Sequence, residues 1–258
     1  LVMNSFGTEY NPPKSFSIEW LARKLFGKKT HRVFSMLHIS LEGWFYSALQ
    51  SSYNHSKNGI SPFGTYYEFG VGGGRSLAYF LKALNAFCRD YKIDSSEFRI
   101  FAFDTFEGLP DSEHVSDVNV AYKKGYFAHD VSEIKRRLIS WGIDLEKFNI
   151  RFIEGKFEQS LTSSLREELE KFPPSIVNVD VDYYTSCNHV LKWLRPMLQS
   201  GSLFYFDDIW GFAGNPNYGE IRSIREFNEE EEGYMTHYPI LGMPSRAYIY
   251  SKKEYEHI

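Results

Sequence analysis

The chain has 258 residues, with 29 Lys and Arg against 33 Asp and Glu and a formal net charge of -4. That length suits one large α/β domain with a sizeable core, and the charge balance lacks the basic footprint of a nucleic-acid binder. No apolar run is long enough to span a membrane and the amino terminus shows no basic-then-apolar leader, so a soluble, cytoplasmic protein is expected, with Cys88 and Cys187 reduced and structural.

In chain order, residues 1–14, with the Pro12-Pro13 pair, read as a loosely fixed arm. From Ser15 or Ser17 the positions Ile18, Leu21, Leu25 and Phe26 recur at helical spacing and stop at Gly27. A second helix over about 32–51 carries Val33, Leu37, Leu41, Trp44, Phe45 and Leu49 on one stripe. Residues 1–60 are thus expected as an arm and helical cap ahead of a domain over 61–258. Such a cap could cover a ligand site, form the surface of a homo-oligomer, or pack against a sheet edge.

Tyr66-Tyr67-Glu68-Phe69 then reads as a strand ending in an acid, followed by the turn Gly70-Val71-Gly72-Gly73-Gly74 and a helix beginning at Arg75 and Ser76. Glycines there let the backbone take positive φ and let a ligand approach the free N–H groups of the new helix. The dinucleotide fingerprint wants a third glycine three residues after Gly72, and that place holds Arg75, so a nicotinamide or flavin site is disfavoured. Glu68 at the strand end suits a ligand carrying an ammonium group.

Arg99 to Asp104 reads as a second strand, again ending in an acid, which makes a right-handed parallel unit with its ligand edge beyond Glu68 and Asp104. Asp104 is placed to accept hydrogen bonds from two ribose hydroxyls. The polar excursion 105–124 is long enough to be functional. Asp130 and Glu133 mark a helix start with His129 just before it. A third strand over Asn149 to Ile153 ends in Glu154-Gly155, an exposed helix follows over about 160–171, and Pro173-Pro174 stops it.

The next strand, Ser175 to Tyr183, alternates so that Asn178, Asp180 and Asp182 share one face. A fifth, Ser202 to Phe206, ends in Asp207-Asp208. Four carboxylates on one rim suit a hard divalent cation, because buried carboxylates need compensating charge. A loop over 211–219, a helix over about 220–230 and a last strand near 246–250 complete the chain.

Together Glu68-Phe69-Gly70-Val71, Asp104-Thr105-Phe106-Glu107-Gly108-Leu109-Pro110, Phe152-Ile153-Glu154-Gly155-Lys156-Phe157, Asp180-Val181-Asp182-Tyr183-Tyr184-Thr185-Ser186 and Asp207-Asp208 resemble, in order, the macrocin O-methyltransferase family. The resemblance covers roughly residues 64–250. It implies a Rossmann-like class I S-adenosylmethionine-dependent methyltransferase with a doubly wound, mostly parallel seven-stranded sheet and an N-terminal helical cap. It also implies methyl transfer to a hydroxyl of a small molecule, a sugar or glycosylated natural product, assisted by Mg²⁺ or Mn²⁺.

By position, the resemblance implies that Glu68, Gly70, Gly72, Gly73, Arg75 and Ser76 hold the methionine part of S-adenosylmethionine. Asp104 and Thr105 would take the ribose, and Glu154, Gly155 and Phe157 would border the adenine. Asp182, Asp207 and Asp208 would bind the metal, with Asp180 as an alternative ligand or a partner on the cofactor side. His129 is favoured as general base over His114, beside Asp182. Two rival readings remain open at this stage: a metal-independent small-molecule methyltransferase, and a non-catalytic cofactor-binding protein of the same fold.

Overall fold

The structure, a computed structural model, describes residues 41–111, 114–117, 123–209, 211–230, 233–237 and 247–252. The arm, the expected helix ending at Phe26 and the start of the second lie outside these residues.

Seven strands form one sheet: β1 (Thr65–Phe69), β2 (Arg99–Asp104), β3 (Asn149–Glu154), β4 (Ile176–Val179), β5 (Leu203–Phe206), β6 (Gly233–His237) and β7 (Ala247–Lys252). Their spatial order is β3-β2-β1-β4-β5-β7-β6. β1 to β5 run parallel, while β7 pairs antiparallel with both β5 and β6. The order reverses at β1, which lies between β2 and β4, and doubly wound sheets bind ligands beyond the carboxyl ends at that point. In register there, Glu68 lies between Ala102 and Asn178, and Asn178 in turn pairs with Tyr205.

Seven helices of the described residues are named α1 (Leu41–Ser56), α2 (Arg75–Tyr91), α3 (Val131–Ser140), α4 (Phe157–Ser160), α5 (Ser163–Leu169), α6 (Tyr184–Leu194) and α7 (Gly219–Glu229). Strand alternation sends Tyr66 to one face of the sheet and Tyr67 and Phe69 to the other. On the first face, α2 buries Leu77, Phe80, Leu81, Leu84 and Phe87, and Phe80 stacks on Tyr66 at 3.6 Å between ring centroids. α1 buries Trp44, Phe45 and Leu49 in the same core, with Phe45 edge-on to both Tyr66 and Phe80. Each such ring contributes about 1.5–3 kcal/mol through burial. From Leu41 onward, therefore, the expected cap is a layer of the sheet domain and shares its core. α1 also runs to Ser56, past the expected stop at Ser51, and the buried Ser52 hydroxyl donates to the Pro62 carbonyl at 2.6 Å to fix the following loop.

On the second face, α6 buries Cys187, Val190, Leu191 and Leu194 against Val177, Val179, Phe204 and Phe206, and α7 adds Ile224 and Phe227. Two other expectations need correction. The helix expected over 160–171 is the shorter α5, capped by the Thr162 hydroxyl, which accepts from the Leu165 N–H at 3.2 Å, with α4 a separate short helix before it. β4 ends at Val179, and Asp182 takes a left-handed φ of 59°, so Asp180 and Asp182 are not alternating members of one strand. Among the described residues no helix is long and apolar enough to cross a membrane.

Candidate active site

The glycine corner rises from β1, the central strand of the switch point. Glu68, its last acid, is fully buried and accepts the Ser76 hydroxyl at 2.5 Å and the Tyr66 hydroxyl at 2.9 Å. Burial pushes its carboxyl up to about 8, against the opposing pull of these two hydrogen bonds. Instead of lying open at the rim, Glu68 ties β1 to the first turn of α2.

The glycine pattern that matters is alternating. Gly70, Gly72 and Gly74 all have positive φ, so the working signature is Gly-x-Gly-x-Gly, with Gly74 the member that the dinucleotide template overlooks. Gly70 is the most constrained, since a Cβ there would lie 1.7 Å from the Asp180 carbonyl oxygen. The amide of Asp180 donates to Phe69 at 2.9 Å, so this close approach is part of the sheet itself. Gly73 has a different neighbour: a Cβ there would meet Arg137 Nη1 at 2.4 Å and His129 Nε2 at 3.4 Å.

Asp104 is the second tie on the corner. Its Oδ2 accepts the N–H groups of Val71 at 2.7 Å and Gly72 at 2.9 Å, and its Oδ1 accepts that of Phe106 at 2.8 Å. A carboxylate offers about four acceptor sites, so these three donors and the Thr105 hydroxyl, 3.4 Å from Oδ1, leave Asp104 little further capacity. Thr105 turns its hydroxyl to the Gly108 carbonyl at 2.8 Å, which shapes the start of the long loop. The loop returns at Leu109, whose N–H donates to the Tyr126 carbonyl at 2.9 Å. Gly155 follows β3 and donates to the Asp104 carbonyl at 3.0 Å, while the Phe157 ring meets that of Phe69 edge-on at 6.0 Å. Glu154 ends β3 in register with Asp104, and Arg75 is exposed at the start of α2.

The acids form a second cluster beside β4 and β5. Asp180, Asp207 and Asp208 each present one carboxylate oxygen, and the three oxygens lie within 4.8 Å of one another. Asp182, expected among the metal ligands, stands outside this set, and its backbone N–H donates to Asp208 Oδ2 at 2.9 Å. The Tyr205 hydroxyl donates to Asp207 Oδ1 at 3.2 Å. Glu220, at the start of α7 and fully buried, accepts the Asp208 N–H at 2.9 Å. Its other oxygen is buried with no partner among the described residues. Burial, then the negative charge of Asp207, Asp208, Asp182 and Glu220, raises the Asp180 carboxyl well above the usual range; burial, Asp208 and Asp207 do the same to Glu220. Three converging hard oxygen donors make a set that a divalent cation fits.

His129 lies away from the acid set in its contacts. Its Nδ1 is 3.0 Å from Glu133 Oε1 and its Nε2 is 3.4 Å from Arg137 Nη1, over Gly73. His114, the other histidine considered, packs against the Tyr184 ring at 5.3 Å. Sequence reasoning missed an anchor beneath it: Asp117, buried, accepts the Thr185 N–H at 3.2 Å and hydroxyl at 2.6 Å, and the neighbouring Ser116 hydroxyl meets Arg222 of α7. These bonds pin the long loop to the amino end of α6. Neither Asp117 nor Glu220 stands in a motif, so no local signal announced them.

The doubly wound sheet of this strand order, with a Glu-x-Gly-x-Gly-x-Gly corner at the switch point, has the Rossmann-like fold of the class I methyltransferases. The profile of the macrocin-O-methyltransferase (TylF) family matches residues 58–231, and the chain belongs to that family. It is accordingly an S-adenosylmethionine-dependent O-methyltransferase. Solved structures that share the fold include two methyltransferases. The calicheamicin methyltransferase CalS11 is 21% identical with a TM-score of 0.56, covering 95% of this chain and 99% of its own. The O-methyltransferase NovP is 17% identical with a TM-score of 0.56, covering 81% of this chain and 78% of its own. Among curated proteins none matches the chain significantly.

Proposed function

We propose that the protein transfers the methyl group of S-adenosylmethionine to a hydroxyl of a sugar or glycosylated natural product, with a divalent cation held by Asp180, Asp207 and Asp208. The single observation carrying the metal part is the convergence of those three carboxylate oxygens within 4.8 Å. The small-molecule acceptor is supported by the family's name, taken from macrocin, and by the calicheamicin methyltransferase among the similar structures.

A bound Mg²⁺ or Mn²⁺ would supply Lewis acidity and charge neutralisation at the acceptor. The chain's own residues do the rest. The glycine corner holds the cofactor, with Glu68 and Asp104 bracing the turn from either side and Asp104 facing the ribose. Glu154, Gly155 and Phe157 border the adenine. In the transfer the S–CH₃ bond breaks as the O–CH₃ bond forms in line, and the hydroxyl proton passes to a base. Asp182 fills that role better than His129: it adjoins the acid set through Asp208, whereas both ring nitrogens of His129 face partners over Gly73. Positioning supplies much of the acceleration, because the sulfonium is already reactive.

The test is methyl transfer to a panel of hydroxylated glycosides, read by mass spectrometry, in Mg²⁺ and in excess chelator. Products that vanish in chelator, and in Asp182→Asn but not in His129→Ala, are expected. Full turnover in chelator would remove the metal from the mechanism, and full turnover by Asp182→Asn would remove the assigned base.

A further inference from the structure

The segment from Tyr126 to Asp130 runs along the glycine corner, and one residue in it is at odds with its own chemistry. Phe127 is half exposed and has a φ of 66°, a left-handed conformation that a bulky side chain ordinarily avoids. Nothing in that geometry serves the apolar core, since Phe127 lies in neither buried cluster. Its position is informative. Gly73 and Gly74 are closed off by Arg137 and Ile134, at 2.4 Å and 3.0 Å from where a Cβ would sit. Gly72 alone of the three has room, and a Cβ there would meet only the Phe127 Cβ, at 4.0 Å. The Gly72 N–H is also the one shared with Asp104. Phe127 therefore flanks the opening at the turn.

We propose that Phe127 is a cofactor-contacting residue, an aromatic wall against which S-adenosylmethionine packs where it crosses Gly72. The inference rests on the placement of the cofactor at the glycine corner. A ligand there covers the exposed ring, and that burial compensates for the strained backbone.

The experiment is calorimetric titration of S-adenosylhomocysteine into the wild-type protein and the variants Phe127→Ala, Phe127→Gly and Phe127→Tyr, with thermal unfolding of each without ligand. Losing the ring should weaken binding about tenfold in the Ala and Gly variants, and Phe127→Tyr should bind within about twofold of wild type. Phe127→Gly should melt no lower than wild type, because glycine suits the left-handed backbone. Equal affinity in wild type and Phe127→Ala would overturn the proposal, as would a loss of affinity that tracks a lowered melting temperature in Phe127→Gly. Absence of binding in every protein, wild type included, would refute the placement of the cofactor and the proposal with it.

Discussion

Replacing Glu68 with Gln should change the pH dependence of stability in a way that only a buried, neutral carboxyl explains. In the folded protein the group titrates at about 8, and its ordinary value is 4.5. Between these values the folded state holds a proton that the unfolded chain has released, so unfolding becomes easier as pH rises. A raised carboxyl thus stabilises most below about 4.5 and loses that contribution progressively up to about 8. One proton corresponds to about 1.4 kcal/mol per pH unit, so from pH 5.5 to 7.0 the wild type should lose about 2 kcal/mol more than Glu68→Gln. Exposed groups common to both proteins cancel in the comparison. The amide keeps the shape of the side chain and can bond Ser76 and Tyr66, so the variant should remain folded. Urea unfolding at four pH values measures the difference in slope. Parallel curves would refute the reasoning and place an ionised Glu68 in the folded protein.

Three further outcomes follow from the geometry. Gly70→Ala should cost more than about 3 kcal/mol and abolish S-adenosylhomocysteine binding, because its Cβ would overlap the Asp180 carbonyl and no neighbouring backbone can yield; thermal unfolding and calorimetry check both. Asp117→Ala should destabilise by about 1–3 kcal/mol in urea unfolding by leaving the buried end of α6 short of an acceptor for Thr185. Asp182→Asn should lower kcat at least about a hundredfold with cofactor affinity unchanged, as single-turnover kinetics and calorimetry would show.

The strands and the acids at their carboxyl ends were legible because most parallel strands are short apolar runs closed by a polar turn, as in Phe101-Ala102-Phe103-Asp104. Other features were hidden for physical reasons. The dinucleotide spacing pointed to Arg75 and away from Gly74, although the corner needs positive φ at alternate residues. Strict alternation through Asp182 assumed an extended chain, whereas β4 ends at Val179, whose register with Phe206 brings Asp180 beside Asp207 and Asp208. β6 is an edge strand with two buried residues, Gly233 and Met235, and carries almost no alternation to read. Glu220 and Asp117 act through contacts made across the fold, which no local pattern encodes.

The most direct test of the metal-assisted account is calorimetric titration of Mn²⁺ into the wild-type protein and Asp207→Asn, both saturated with S-adenosylhomocysteine. The account predicts one Mn²⁺ per wild-type chain and loss of that binding in the variant. No stoichiometric binding to the wild type, or equal binding to both, would contradict it.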